Sequence, residues 1–125
     1  YTYRDSETRG GAYSGNQVPN VPRHQATLDV TWRPLRRFSI AVSASYVGER
    51  LLESDFENRY AKQEAYTLVN LKLEYRWQAL TGFLDVNNLF DEDYAAYGVL
   101  STFPVEPAFY PSPERHFLAG IRYDY

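Results

Sequence analysis

Alternation between apolar and polar residues is the feature that most restricts how this chain can fold. Over residues 26–33 the even positions are apolar and the odd positions polar, and over residues 69–77 the odd positions are apolar or aromatic. Successive side chains of a β-strand point to opposite faces, so each segment would have one apolar and one polar face. The pattern therefore predicts strands and not helices.

The same period of two recurs elsewhere in the chain. It appears over residues 38–46, over 80–87 with Phe83 as an exception, and over 116–125, which predicts about five strands. Short breaks at 34–37 and 78–79 are of hairpin length and predict antiparallel pairing. Two longer stretches, a polar one at 48–64 and a Pro-rich one at 91–114, are predicted to be loops.

Composition excludes several classes of protein. A net charge of −3 with 44% hydrophobic and 17% aromatic residues is typical neither of a disordered tail nor of a basic nucleic-acid-binding protein, so we expect no nucleic-acid partner. The absence of cysteine excludes disulfides, thiolate metal sites and a cysteine nucleophile. No apolar run approaches the ~20 residues of a transmembrane helix, whereas a transmembrane strand needs only about 10 alternating residues.

Loop lengths and aromatic positions favour a membrane barrel over a soluble sheet. Short and long connections alternate, as in outer-membrane barrels with tight periplasmic turns and long outer loops. Aromatic rings beside the short turns and the carboxyl end would form one membrane girdle, and rings beside the long loops would form the other. The first girdle contains Trp32, Phe38, Tyr75, Trp77, Tyr123 and Tyr125, and the second contains Tyr46, Tyr66 and Phe117.

Several short motifs occur in order along nearly the whole chain. Residues 87–94 (NNLFDEDY) resemble the "N-L-F-D-x-x-Y" stretch near the carboxyl end of TonB-dependent outer-membrane receptors. Residues 20–24 (NVPRH), 46–48 (YVG), 65–71 (AYTLVNL) and 110–115 (YPSPER) are similar to strand entries and exits of that family, and residues 1–3 resemble the end of a preceding strand. The order and spacing of these motifs identify the chain as a member of this family.

The resemblance implies both an architecture and a function. Residues 1–125 would be the carboxyl-terminal part of an all-β, antiparallel transmembrane barrel of roughly 22 strands, contributing about five to six of them. The family imports scarce nutrients such as siderophore-bound iron or cobalamin across the Gram-negative outer membrane, driven by TonB. Neither a plug domain nor a TonB box is recognisable here, so TonB would act through those missing regions. The other implied partners are lipid, lipopolysaccharide and the remainder of the barrel, in the same or another chain.

The carboxyl end carries a further signal. Gly120, Tyr123 and Tyr125 fit a glycine followed by aromatic-x-aromatic, which resembles the terminal signal read by the barrel-assembly machinery, although Leu118 stands where that signal usually has a polar residue. The tyrosines can also belong to the membrane girdle. Both roles are compatible in one strand.

Candidates for chemistry are few, and we expect no enzyme activity and no cofactor. His24 and His116 lack partners at metal-ligand spacing and are interpreted as polar residues at strand ends. The acids Glu53, Asp55 and Glu57 are interpreted as solvated loop residues more readily than as cation ligands. Asn87 and Asn88 are interpreted as turn formers where the strand ends.

Ligand contact, if this segment makes any, is expected in the two long loops. Their exposed aromatic residues have no burial role in the strands and are the candidate contacts: Phe56, Tyr60, Tyr97, Phe103, Phe109 and Tyr110. Two alternatives remain open. One is a soluble β-sandwich that binds a ligand such as a glycan, and the other is an outer-membrane barrel that transports nothing.

Overall fold

A computed structural model describes residues 1–124, and this part of the chain consists of strands and connections. The strands, in chain order, are β1 (Thr2–Tyr3), β2 (His24–Leu35), β3 (Phe38–Val47), β4 (Tyr66–Trp77), β5 (Leu80–Asn87), β6 (Ala95–Leu100), β7 (Pro107–Pro111) and β8 (His116–Tyr123). Within residues 1–124, no helix has the length and apolar character needed to cross a membrane.

Six of the strands form one sheet, in the order β1-β2-β3-β4-β5-β8. β1 pairs antiparallel with β2, placing Thr2 opposite Gln25, and β4 pairs antiparallel with β5, placing Leu71 opposite Val86. β5 also pairs antiparallel with β8 along its whole length, from Leu80 opposite Tyr123 to Asn87 opposite His116. The prediction of about five antiparallel strands and a partial one at the amino end is confirmed.

Two boundaries differ from the prediction. The stretch 91–114 is not wholly a loop, because β6 and β7 form an antiparallel hairpin within it. The prolines of this stretch led to the prediction of a loop. Pro107 and Pro111 are, however, the end residues of β7, where proline is tolerated. β2 likewise continues through Pro34 to Leu35, so the connection to β3 is only residues 36–37.

The described residues divide into two compact units. The first, called here the loop unit, consists of Tyr1–Ala26, Tyr46–Tyr66 and Asp93–Ser112. The second, called the strand unit, consists of Thr27–Ser45, Thr67–Glu92 and the chain from Pro113 onward. The loop unit contains the β6–β7 hairpin, and the strand unit contains most of the length of β2 to β5 and all of β8.

The strand unit has one exposed apolar face and one polar face. Every second residue of these strands is apolar or aromatic, and we call these positions the apolar parity. Many of their side chains are exposed, among them Leu28, Val30, Trp32, Tyr75, Trp77, Phe117 and Ile121. The opposite parity contributes Asp29, Thr31, Ser43, Asn70, Lys72 and Asp85 to the lining of a cleft of about 320 Å³, to which Val30, Val42 and Leu71 of the apolar parity also contribute. Alternation along the chain has therefore produced a sheet with an apolar face that is exposed, and a protein surrounded by water would have to cover that face.

Asn88 ends β5 by forming a tight turn. Its φ of 53° lies in the left-handed region that asparagine tolerates better than most residues. Its side-chain oxygen accepts the Glu92 amide at 2.9 Å, and its side-chain nitrogen donates to the Glu92 carbonyl at 2.9 Å. The Asn88 amide donates to Oδ1 of Asn70 at 3.0 Å. The interpretation of Asn88 as a turn former is confirmed.

Phe83, the exception in the alternation of β5, packs over Gly120 of β8. The two residues are directly opposite in the register. A Cβ at residue 120 would lie only 2.6 Å from Cζ of the Phe83 ring. An aromatic ring on the polar face is thus accommodated because its neighbour has no side chain, and the ring covers the glycine in return.

Gly120→Ala should therefore destabilise the protein by about 1–3 kcal/mol, because the added methyl forces the Phe83 ring or the backbone to move. Gly82→Ala is the matched control, since the space around a Cβ at residue 82 is open. The free energy of unfolding of the full-length protein in urea measures both. A loss at Gly82 as large as that at Gly120 would contradict the role given to Phe83.

Candidate functional site

The loop unit is organised around a small buried centre. Leu51 and Leu52 are buried, and Leu52 packs where a Cβ of Gly98 would otherwise lie, 2.7 Å from Leu52 Cδ2. The ring of Phe109 approaches the same position at 3.1 Å. Only glycine permits both side chains to reach the backbone of β6 this closely. The β6–β7 hairpin is held against the 50–53 segment by this contact.

Backbone bonds add to the attachment of β6. The amide of Glu53 donates to the carbonyl of Gly98 at 3.0 Å, and the amide of Leu100 donates to the carbonyl of Glu53 at 3.1 Å. These two bonds form a parallel bridge between Glu53 and Val99. The first part of the loop 48–64 is therefore paired with the hairpin along its backbone as well as packed on it.

Two buried polar side chains position the beginning of β6. Arg50 and Gln63 pair through their backbones, at 3.2 Å and 2.7 Å. Arg50 Nη2 donates to the carbonyl of Ala96, and Gln63 Nε2 donates to the carbonyl of Ala95. The guanidinium of Arg50 also lies 5.8 Å from the ring centroid of Tyr66, within cation–π range. Both side chains satisfy backbone groups of a strand that the sequence pattern did not predict.

The hairpin carries an aromatic pair bonded to an acid. The rings of Tyr97 and Tyr110 are 5.7 Å apart between centroids. The Tyr97 hydroxyl donates to Oε2 of Glu53. This hydrogen bond and partial desolvation raise the pKa of Tyr97 above its ordinary value. The phenol therefore keeps its proton at physiological pH, and that proton is donated to Glu53.

A second aromatic pair joins Tyr13 of the amino-terminal segment to Phe56 of the 53–60 segment. The rings of Tyr13 and Phe56 are 5.8 Å apart and nearly parallel, at 30°. Asn16 Nδ2 donates to the Phe56 carbonyl at 2.8 Å, which connects the two segments beside the rings. This arrangement displays the Phe56 ring, which is exposed, on a backbone that is held by hydrogen bonds.

Asp55 corrects one sequence interpretation. It is not a solvated loop acid, because it is only 2% exposed and accepts the amides of Arg59 and Tyr60 at 3.0 Å and 3.1 Å. A carboxylate that accepts neighbouring amides in this way closes a tight turn. Of its two neighbours, Glu57 is paired with Arg59 at 3.0 Å and Glu53 with Tyr97. Arg59 thus serves two of the acids, Asp55 through its amide and Glu57 through its guanidinium, while Glu53 is bonded to Tyr97.

All six candidate ligand-contact residues are in the loop unit and are exposed: Phe56, Tyr60, Tyr97, Phe103, Phe109 and Tyr110. The structure joins Tyr97 to Tyr110 in one ring contact and Phe56 to Tyr13 in another. Phe103, at the tip of the hairpin, is 96% exposed. Tyr13 and Arg50 were missed by the sequence reasoning, and the aromatic character of Tyr13 was the one available signal.

The predicted girdle residues lie near strand ends. Trp32, Tyr46, Tyr75 and Trp77 are exposed, while Phe38 and Tyr66 are half-buried. Tyr66 contacts Tyr94 with ring centroids 4.7 Å apart. Of the predicted assembly signal, Gly120 lies in β8, Tyr123 is its last residue, and Tyr125 lies outside the described residues.

The two histidines occupy strand starts. His24 begins β2 and its Nδ1 lies 2.8 Å from the Tyr1 hydroxyl, while His116 begins β8 with Nδ1 3.1 Å from the Glu114 carbonyl. Over residues 1–124, no group of three or more histidine, cysteine or acidic side chains is arranged to hold a metal ion. The loop unit offers exposed aromatic rings and tyrosine hydroxyls, which suit binding by contact and hydrogen bonding.

Comparison with known proteins gives a consistent assignment. Residues 1–89 match the family model described as TonB dependent receptor-like, beta-barrel. The siderophore receptor PiuA of Acinetobacter baumannii is 30% identical over 122 residues, which cover 85% of this chain and 16% of that protein. The ferrichrome outer membrane transporter/phage receptor of Escherichia coli K12 is 36% identical over 107 residues, covering 77% of this chain and 14% of that protein.

Solved structures agree with the sequence matches. The PiuA crystal structure superposes with a TM-score of 0.78 at 24% identity, covering 90% of this chain and 15% of that one, and this likeness shows the fold. The open form of the ferric-catecholate import receptor Fiu of E. coli K12 superposes with a TM-score of 0.67 at 30% identity, covering 82% of this chain and 15% of that one. With these matches and the six-stranded antiparallel sheet, the chain belongs to the β-barrel family of TonB-dependent receptors.

Proposed function

We propose that residues 1–125 are the carboxyl-terminal wall and part of the outer mouth of an outer-membrane receptor that imports an iron chelate or another scarce nutrient with energy from TonB. The observation that carries this proposal is the exposed apolar face of the strand unit opposite a polar face. Lipid covers such an apolar face in a membrane barrel, and the polar face then lines the interior. The names of the relatives supply the substrate class, since they include siderophore, ferrichrome and ferric-catecholate receptors.

The plug and TonB box would belong to other parts of the full-length receptor. The chain spans only about one-sixth of the length of the relatives it matches, so energy coupling is assigned to the remainder. The short connections at 36–37 and 78–79 would face the periplasm, and the loop unit would face outward near lipopolysaccharide. β8 with Gly120 and Tyr123 would present the signal to the barrel-assembly machinery.

Within this receptor, we assign ligand contact to the loop unit. Its exposed rings stand on a backbone fixed by the buried Leu51–Leu52 pair, by Arg50 and Gln63 and by the Asp55 turn. Rigid presentation lowers the entropic cost of binding, and aromatic side chains supply contact area with few rotatable bonds. The family match argues against a soluble β-sandwich. A barrel without transport activity is an outcome that the following experiment can detect.

Uptake of radiolabelled iron by iron-starved cells tests the proposal. Cells with the full-length receptor as their only receptor for the chelate should take up ferrichrome or a ferric catecholate, and cells without it should not. Uptake should also disappear in a strain that lacks TonB, because the transport step needs its energy. If a surface-expressed, correctly assembled receptor supports uptake of none of a broad panel of ferric chelates and of cobalamin, the receptor function is contradicted.

A further inference from the structure

Two phenols and a carboxylate meet on one face of the β6–β7 hairpin. Tyr97 and Tyr110 are directly opposite each other in the antiparallel ladder, so their side chains project from the same face. Their ring centroids are 5.7 Å apart. The Tyr97 hydroxyl donates a hydrogen bond to Oε2 of Glu53. We call these three residues the phenol site.

Backbone pairing fixes the position of each member of the phenol site. The hairpin ladder holds the two tyrosines, and the parallel bridge from Glu53 to Val99 holds the acid beside them. Side chains alternate along an extended segment, so Leu52 packs at Gly98 while Glu53 reaches the face that carries the phenols. The three oxygen-bearing groups are therefore held in place before any ligand arrives, which lowers the entropic cost of binding one.

The acid of the phenol site has no balancing cation in the part of the chain that the structure describes. Glu53 is half-buried and takes part in no ion pair within residues 1–124. The Tyr110 side chain is 57% exposed, and its hydroxyl makes no hydrogen bond within the same residues. The phenol proton of Tyr97 lies between two oxygens. A metal cation that displaced this proton would be bound by both of them.

The donor atoms of the phenol site suit a hard, trivalent cation. All of them are oxygens, which hard cations prefer, whereas softer metals favour imidazole and thiolate ligands. Two phenolates and one carboxylate carry three negative charges, which equal the charge of Fe³⁺ and exceed that of a divalent cation. Tyrosine is also among the protein ligands of iron. The site therefore matches ferric iron better than zinc, calcium or magnesium.

We propose that the phenol site binds ferric iron directly, through the oxygens of Tyr97, Tyr110 and Glu53. On binding, each phenol releases its proton to solvent and forms an oxygen–iron bond, and the iron stays in the ferric state. The inference rests on the proposed function, which brings ferric chelates to the outer mouth. It narrows the substrate class to ferric complexes that leave coordination positions of the iron open. A chelator that fills every position would prevent the bonds to the protein.

Absorption spectroscopy of the assembled full-length receptor in detergent tests this proposal. Ferric nitrilotriacetate, whose iron keeps open positions, should produce a visible phenolate-to-iron charge-transfer band. Resonance Raman excitation within that band should enhance tyrosine ring vibrations. An excess of zinc chloride should leave the band in place. Absence of the band with ferric nitrilotriacetate, or its loss on addition of zinc, would overturn the proposal.

Substitutions assign the band to these residues. Tyr97→Phe and Tyr110→Phe should each weaken it, and the double variant should abolish it. Glu53→Gln should lower the affinity for ferric nitrilotriacetate by about tenfold or more. Tyr46→Phe is the matched control, because Tyr46 lies in the loop unit and is 39% exposed, as Tyr97 is. An unchanged band in the double variant, or an equal loss in Tyr46→Phe, would reject the site. If the double variant does not assemble, the single variants decide the question.

Iron uptake by cells, measured separately, distinguishes failure of the phenol site from failure of the proposed function. Uptake of a ferric chelate by a receptor that shows no charge-transfer band would contradict only the phenol site. A band that depends on Tyr97 and Tyr110, in a receptor that supports uptake of no ferric chelate and no cobalamin, would contradict only the proposed function.

Discussion

Val30→Arg should destabilise the assembled receptor by about 2–4 kcal/mol, because it would place a charge on the lipid face near the middle of β2. Val30 is 50% exposed and belongs to the apolar parity of β2, the parity that faces lipid in the proposed barrel. The free energy of unfolding in urea, measured with the full-length receptor folded into lipid vesicles, gives the effect. The yield of heat-modifiable, folded receptor in cells provides a second reading.

Thr31→Arg is the matched control for this experiment. It introduces the same side chain one residue further along the same strand, but toward the polar cleft of about 320 Å³. A charge there remains near Asp29 and Asp85 and is not exposed to hydrocarbon. The loss of stability should be clearly smaller than for Val30→Arg. Equal losses at the two positions would show that the two faces of β2 are alike, and the barrel assignment of the faces would be wrong.

Replacing the tip of the β6–β7 hairpin should separate ligand binding from assembly. Residues 101–106, which include the fully exposed Phe103, can be replaced by Asn-Gly, a pair that closes two-residue hairpins. Leu100 and Pro107 remain opposite each other, so the hairpin keeps its register. We expect the affinity for the ferric chelate to fall by about tenfold, since a few aromatic anchors usually provide most of the binding energy.

Two controls accompany the tip replacement. Assembly, read from the heat-modifiable band and surface expression, should be unchanged, because the packing of Leu52 and Phe109 against Gly98 is kept. Phe103→Ala alone should give a smaller loss of affinity in the same direction, and Phe103→Tyr should retain binding. Unchanged affinity in the tip replacement would show that the hairpin tip does not bind the ligand. The polar cleft would then be the next candidate for the ligand site.

The strand positions were predictable because strand geometry imposes a period of two on the sequence wherever the two faces meet different surroundings. Residues 66–77 show this most clearly, and β4 spans those residues in the structure. The turn at Asn88 was predictable for a similar reason, since it depends on the local conformational preference and hydrogen bonding of asparagine.

Features that depend on distant partners were not predictable. β6 and β7 have proline-rich surroundings, and they are strands because they pair with each other and because Leu52, Arg50 and Gln63 hold β6. Asp55 looked like a surface acid because its buried state depends on how the 50–63 loop folds back. Phe83 breaks the alternation of β5, and nothing in the sequence explained it. The structure supplies the reason, because Gly120 lies opposite Phe83 and leaves room for the ring.

By itself, the sequence determined the strand pattern, the two kinds of face and the turn at Asn88, because each of these features depends only on a few neighbouring residues. The tertiary structure alone decided which strands are neighbours. With that it assembled the Tyr97–Tyr110 pair beside Glu53 and a groove lined by Arg33, Arg76 and Arg122, among other residues. Arg33, Arg76 and Arg122 are far apart in the chain, and no local pattern marks them as a group. They meet because the register aligns β4, β5 and β8, and because the sheet order places β2 in the same sheet. Register and sheet order are determined by packing and backbone pairing between residues that are distant in the chain.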